Sequence, residues 1–480
     1  MLAQIRACCG CLANNIDIRC RLYWASGLDG NVRRTAVKDI LQHSAGQTAR
    51  RESYQHLPTQ TQAWPRSADL RQPEDGQNRA QDDAAASTVQ QYIAAKDWVS
   101  CDQLIYFFCD IHADTDAFFL SLLASGGIHK TGDGDNEFEL TSEGHSARFI
   151  IGGDCFDKGP ATLRLLNVIR QLIDKGADLI LLAGNHDIRT YLGIYYAESK
   201  DPLFDHLFVR MGKKTVPFLA EIFRGFIEGQ IAEGATPDAV ATEARIYACL
   251  FPSESWYDNF PTVANSWIRP SRLAKELSRI REKTDDFKVQ MAAVGLDIHK
   301  VQAALVKFRG LFVEPGGEFS WFFERMQIAH REGSYLFVHA GVDDTVAKTL
   351  SEHGVEHLNQ AFRALLKTDP FALYHGALGN VFRTKYRTID FDFSDEGVDD
   401  LHRAGIYAIV HGHKNILQGQ RMVIRKGMLN FECDASVDCH TRAKEGLVGP
   451  GGAVVKFCRN GTVQGISTDY PFIKQFSPDG

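Results

Sequence analysis

Three short apolar runs end on residues that carry hard oxygen or imidazole donors. LIYFFCDIHAD delivers Asp110, His112 and Asp114, RFIIGGDCFDKGP delivers Asp154 and Asp157, and DLILLAGNHD delivers Asn185, His186 and Asp187. Two later runs close the same way, YLFVHAG on His339 and YAIVHGHK on His411 and His413. Carboxylate, amide and imidazole in one set suit Mn, Fe or Zn better than Ca, which prefers oxygen alone. One aspartate can bridge two divalent ions through its two oxygens, and such a pair stabilises both the attacking and the leaving oxygen of an in-line displacement. Asp154 is the candidate bridge. Asp110 and His112 would complete one ion's protein ligands, and Asn185, His339 and His413 the other's. Each piece alone has an ordinary explanation: a lone histidine at a strand end is more often structural, and G-N-H-D is usually a turn with an N-cap. Their agreement in order, strand context and donor type is what favours a metal centre.

The elements that must position these groups follow from periodicity. Short apolar runs bounded by glycine read as buried strands at 104–109, 149–151 and 179–182. Between them, Phe118, Phe119, Leu122 and Leu123 recur at helical spacing and stop at Gly126-Gly127. Leu163, Leu166, Ile169, Leu172 and Ile173 do the same over 162–175 and stop at Gly176. Strand, helix and strand with short connections make the strands parallel, so Asp110, Asp154 and Asn185 share the carboxyl edge where open α/β sheets hold ligands. After His339, a helix over 395–404 leads into a strand over 406–410. A hairpin over 453–466 turns at Asn460-Gly461, and a second, partly antiparallel sheet closes the fold. Between Asn185 and His339 lies an insertion with helical periodicity over 216–233, 237–250 and 269–312. It reads as a cap beside the site, or as an extension of the core whose basic residues form a solvated face.

Composition bounds the partners. The chain has 480 residues, 44% hydrophobic and 24% charged, enough for a large core and more than one structural unit. A net charge of -7 offers no electrostatic argument for nucleic acid or an anionic membrane. Of eleven cysteines only Cys8 and Cys11 have C-x-x-C spacing, so buried thiols in a reducing compartment are expected, without structural disulfides. Arg6, Asp17, Arg19 and Arg21 interrupt residues 1–30, which leaves no apolar stretch for a secretory leader or spanning helix; the expected location is cytoplasmic. Residues 42–87 are rich in Gln, Arg, Asp, Ser and Ala and read as disordered or loosely docked.

The ordered motifs D-x-H, G-D-x-x-D, G-N-H-D, H-A-G and G-H, running from Asp110 to His413, resemble those of the calcineurin-like metallophosphoesterases. The H-A-G segment and Gly153-Asp154-x-x-Asp157-x-Gly159 look most like the phosphoprotein phosphatase branch and its bacterial dinucleotide polyphosphatase relatives. The resemblance implies an α/β fold: a two-sheet sandwich flanked by helices, with a catalytic domain over 96–200 and 331–475 and a helical insertion over 201–330; polar composition makes 1–95 an extension, disordered. It implies two divalent ions, one on Asp110, His112 and Asp154, the other on Asp154, Asn185, His339 and His413. His186 would be the general acid, with Asp157 hydrogen-bonded to it. The implied reaction is hydrolysis of a phosphate monoester, on a phosphorylated protein or a small metabolite, by metal-activated water. A phosphodiesterase or dinucleotide polyphosphate hydrolase is the alternative. A metal-free scaffold is disfavoured, because a binding module has no chemical reason to keep every donor.

This chain departs from the branch at the phosphate clamp. An arginine usually follows the second aspartate and another precedes G-N-H, whereas here Lys158 and Ala183 stand in those places. Arg383, in LGNVFRTKYR, is the candidate replacement, with Arg387 as the alternate. Other branches carry G-H-x-H, but Asn415 occupies the second histidine position, so His411 is expected to play a supporting role.

Overall fold

The computed structural model describes residues 57–64 and 89–478, apart from 231–238, 265–267, 269, 388–389, 391 and 426. Side-chain alternation along the strand Ile105–Phe108 sets the layering. Ile105 and Phe107 enter an apolar cluster with Ile150, Leu182, Phe337, Val410 and Phe431, drawn from two sheets, while Tyr106 and Phe108 enter another shared with the flanking helices. A strand covered on both faces has to be apolar throughout, which is why it reads as a continuous run.

The larger sheet has eight strands. Its order is Thr61–Ala63, Ile473–Phe476, Val463–Ser467, Ala453–Phe457, Ile105–Phe108, Arg148–Ile151, Asp178–Leu182 and Met326–Gln327, and the last four of these run parallel. In the five-stranded sheet the order is Arg421–Arg425, Met428–Glu432, Ala408–His411, Tyr335–Val338 and Ala329–Glu332, with the middle three parallel. The two parallel cores lie face to face, so carboxyl ends from both sheets reach one region. Helices form at Thr162–Asp174 and Asp395–Arg403, and the hairpin expected over 453–466 pairs Ala453–Phe457 with Val463–Ser467.

The insertion keeps its helical character with one interruption. The periodicity over 269–312 divides into Pro270–Ala293 and Ile298–Phe308, because Gly295 adopts φ 77° and Asp297 caps the second helix, accepting from Lys300 N at 2.9 Å. Over 216–233 the helix covers Val216–Phe226, and over 237–250 it covers Ala239–Leu250; residues 231–238 lie outside the described part. These helices do not stand apart from the core. Phe218 and Phe312 pack against Phe156 of the Asp154 loop, with ring centroids 5.2 and 6.0 Å away.

The expectation of an extension outside the fold over 1–95 needs correction at two places. Thr61–Ala63 adds to the sheet edge beside Ile473–Phe476, and Trp64, 3% exposed, sits 5.4 Å from Phe431. Val89 and Ile93 are buried in the same inter-sheet cluster, and the Tyr92 hydroxyl donates to Tyr407 O at 2.7 Å. All three residues of the edge strand are exposed, so it shows no alternation, and a single tryptophan anchors it. The remainder of 1–88 lies outside the described residues. Among the described residues, no helix is long and apolar enough to cross a membrane.

Candidate metal centre and active site

Each donor sits just past a strand, on backbone that turns sharply. Asp110, His112, Asp154 and His413 have φ of 53°, 49°, 55° and 65°, in a region that side-chain-bearing residues seldom adopt and that clusters at functional sites. The reversals are made tight by glycine. A Cβ on Gly153, itself at φ 89°, would lie 2.6 Å from Gly184 N, and one on Gly412 would lie 2.0 Å from Asp110 Oδ2. The loops leaving the two sheets are therefore in direct contact.

Two donor groups result, Asp110, His112 and Asp154 in one and Asp154, His339 and His413 in the other, each with its ligand atoms within 4.8 Å of one another. Asp154 is common to both: its Oδ2 lies 3.9 Å from His112 Nε2 and its Oδ1 3.5 Å from His339 Nε2. Asn185 Oδ1 is 3.3 Å from His339 Nε2. His112 Nδ1 lies 3.1 Å from Phe156 O and His339 Nδ1 2.8 Å from Gly152 O, so carbonyls hold the outer nitrogens and the Nε2 lone pairs point inward. Asp187 is not among the donors. It accepts from the backbone N–H groups of Asp154, Cys155, Phe156 and Gly184, and clamps the loop that carries Asp154.

The electrostatics fit cations. Burial and the neighbouring Asp154 carboxylate push Asp110 up to about 8, and burial with Asp154 lifts Asp187 to about 7. Burial also works on Asp154, yet His339 and His186 outweigh it and hold that carboxyl below its usual range. Burial and then Lys158 push His112 well down, which keeps its imidazole in the neutral form that ligates. A buried set of carboxylate, amide and neutral imidazole donors could hold a divalent ion, which would supply positive charge between the carboxylates.

Beside this centre, His186 Nδ1 lies 2.8 Å from Asp157 Oδ2, and His186 Nε2 is 3.9 Å from Asp154 Oδ2. Asp157 Oδ2 also accepts from Arg189 Nη2 at 2.8 Å, and its Oδ1 accepts from Thr215 Oγ1 at 3.0 Å. Burial alone would raise Asp157, but His186 and Arg189 hold it far below the ordinary carboxylate range. Burial and Arg189 push His186 down, partly offset by Asp154 and Asp157. Sequence reading missed both Arg189 and Thr215. Arg189 stands three positions after His186 on the helix Asn185–Tyr195, a spacing that brings side chains together and could have flagged it. Thr215 lies 58 positions from Asp157 and carries no local signal.

A cavity of about 460 Å³ opens over the centre, lined by Asp110, His112, Asp154, Asn185, His186 and His413 together with Lys158, Arg383 and Arg387. His339 and Asp157 are buried and are not part of this lining. Lys158 Nζ is 2.5 Å from His112 Nε2 and 3.4 Å from Thr441 Oγ1. Arg383 donates to Gly379 O at 3.0 Å and Asn380 Oδ1 at 3.3 Å, and its guanidinium lies over the Tyr374 ring at 4.9 Å. Arg387 is exposed and pairs with Asp390 at 3.1 Å. His411 is outside the lining, buried with Nδ1 3.0 Å from Gly412 O.

Residues 104–263 match the family model of the calcineurin-like phosphoesterases. No curated protein matches the chain. The cold-active protein-tyrosine phosphatase of a psychrophilic Shewanella species superposes at a TM-score of 0.39 and 14% identity, over 78% of this chain and 80% of its own. A protein serine/threonine phosphatase from Saccharomyces cerevisiae superposes at 0.32 and 10%, over 82% and 87%. Superpositions this loose carry no weight of their own. On the matched segment and its motifs, the chain carries a calcineurin-like phosphoesterase domain and is a hydrolase of phosphate esters.

Proposed function

We propose that the protein hydrolyses phosphate monoesters at a two-ion centre. One observation carries this reading: Asp154 is shared by both donor groups, with the His186–Asp157 pair beside it. Divalent ions, Mn, Fe or Zn, held by Asp110, His112, Asp154, Asn185, His339 and His413 would supply the positive charge that activates a water and offsets charge on the phosphoryl oxygens. Asp157 holds His186 through Nδ1 and leaves Nε2 toward the cavity, where it can give a proton to the leaving oxygen. Arg383, braced by Gly379, Asn380 and Tyr374, presents its remaining donors to phosphate oxygens, and Lys158 adds a point charge. The substrate is a phosphorylated protein or a small phosphorylated metabolite; H-A-G and G-D-x-x-D favour the phosphoprotein phosphatase branch. Residues 96–200 and 331–475 form the catalytic domain in this reading, with 201–330 as its insertion, and the protein works in the cytoplasm. Lys158 and Ala183 at the clamp support a second reading, hydrolysis of phosphodiesters or dinucleotide polyphosphates. The test is turnover with Mn of p-nitrophenyl phosphate, its bis ester and a diadenosine polyphosphate. Faster cleavage of the monoester is expected; preference for either of the others selects the second reading.

A further inference from the structure

Five Lys and Arg side chains line the cavity: Lys158, Arg272, Arg383, Lys385 and Arg387. Its carboxylates are Asp110 and Asp154, which belong to the donor groups, and Asp390, which takes Arg387 at 3.1 Å. With Lys158 and Arg383 assigned to the reacting phosphate, Arg272 and Lys385 remain, and neither makes an ion pair among the described residues. They come from separate parts of the chain. Arg272 stands in the first turn of the insertion helix Pro270–Ala293, and Lys385 follows the turn Ala377–Phe382 on the other side of the sequence from His339. Both are exposed and both line the cavity, so an anion that reaches it meets two positive charges that no carboxylate neutralises. About 460 Å³ is also the space of a whole small ligand, not of one phosphate group.

We propose that Arg272 and Lys385 form a second anion subsite, which takes a phosphate group of the substrate other than the one hydrolysed. The preferred substrate is then a small molecule with two phosphate groups. A guanidinium fork beside an ammonium suits a phosphate, two of whose oxygens can meet the fork while a third meets the point charge. The identity of the first phosphate rests on the monoesterase reading above, but binding at the second can be measured without turnover.

The experiment is calorimetric titration of the full chain, with Mn present, using butylphosphonate and butane-1,4-bisphosphonate, which the enzyme cannot hydrolyse. The bisphosphonate is expected to bind at least about 10-fold more tightly, the gain of one charge-assisted contact set. Arg272→Gln and Lys385→Gln together should bring the ratio of the two dissociation constants close to one, and each alone part of the way. Equal affinities in the unaltered protein, or a ratio that the double variant leaves in place, overturn the subsite. If the ratio behaves as expected while p-nitrophenyl phosphate is not hydrolysed, the monoesterase reading falls and the subsite stands.

Discussion

Thr215, at the start of the insertion helix Val216–Phe226, donates its hydroxyl to Asp157 Oδ1 at 3.0 Å, and both residues are buried. The carboxylate that orients His186 is thereby held from both sides, by Arg189 on one oxygen and by the insertion on the other. Removing the hydroxyl with Thr215→Val should cost about 1 kcal/mol of orientation, a several-fold fall in kcat, with metal content unchanged. Thr215→Ser should restore most of it. A variant that loses metal instead would show that Thr215 supports the centre and not the acid.

Asp154 and His186 should fail in different ways. Asp154→Asn removes the charge common to both donor groups, so elemental analysis should find both ions lost. His186→Ala should keep its metal while kcat drops roughly 10². The loss should shrink for nitrophenyl phosphate relative to phenyl phosphate, because a good leaving group needs no proton. Equal losses for the two esters would count against the acid role.

Arg383 and Lys158 should contribute unequally. The guanidinium is fixed by two hydrogen bonds and the Tyr374 ring, whereas the Lys158 ammonium sits on a flexible stem beside His112. A donor aimed at the phosphoryl oxygens is worth on the order of 3 kcal/mol. Arg383→Ala is expected to lower kcat/KM about 10²-fold with metals retained, and Lys158→Ala to lower it less. An unchanged kcat/KM in the arginine variant would move the clamp to Arg387.

The donors were legible because chemistry and topology coincide there: apolar strands stop just before Asp110, Asp154 and Asn185, and parallel βαβ connections bring those stops to one sheet edge. What surrounds them was not. Thr215 reaches Asp157, and Arg272 the cavity, from positions whose distance along the chain hides the approach. Asp187 looked like one more donor, and only its four backbone partners show that it anchors the Asp154 loop. Gly295 broke a helix that periodicity alone carried through, since its apolar spacing resumes on the far side.

The docked N-terminal segment leads to a stability prediction. Trp64 fills the inter-sheet core at 3% exposure, so Trp64→Ala should cost about 3–5 kcal/mol in denaturant unfolding. Starting the chain at residue 96 also strips the edge strand and the buried Val89 and Ile93. That truncation should unfold at lower temperature than the full chain. A truncation at 96 as stable as the full chain would mean that the sheet edge closes without them.

Glu221 couples the insertion to the catalytic sheet through a helix end. The helix Thr162–Asp174 has no side-chain cap of its own, and Glu221 accepts from Thr162 N at 2.9 Å and Leu163 N at 3.0 Å. Burial lifts this carboxyl to about 7 despite those bonds. The folded state then holds a proton that the unfolded chain, titrating near 4.3, has released. More protons bound when folded means that stability declines as pH rises: the contribution is complete below the unfolded value and is lost as pH passes about 7. Glu221→Gln cannot ionise; its amide oxygen can replace one of the two acceptors, and the lost bond costs about 1 kcal/mol that does not vary with pH. Relative to the unaltered protein it should gain stability between pH 5 and 8, on the order of 3 kcal/mol at the upper end. Unfolding free energies of the two proteins across that range check it. Parallel curves would mean that Glu221 is already ionised when folded and that the helix N-terminus, not burial, governs its proton.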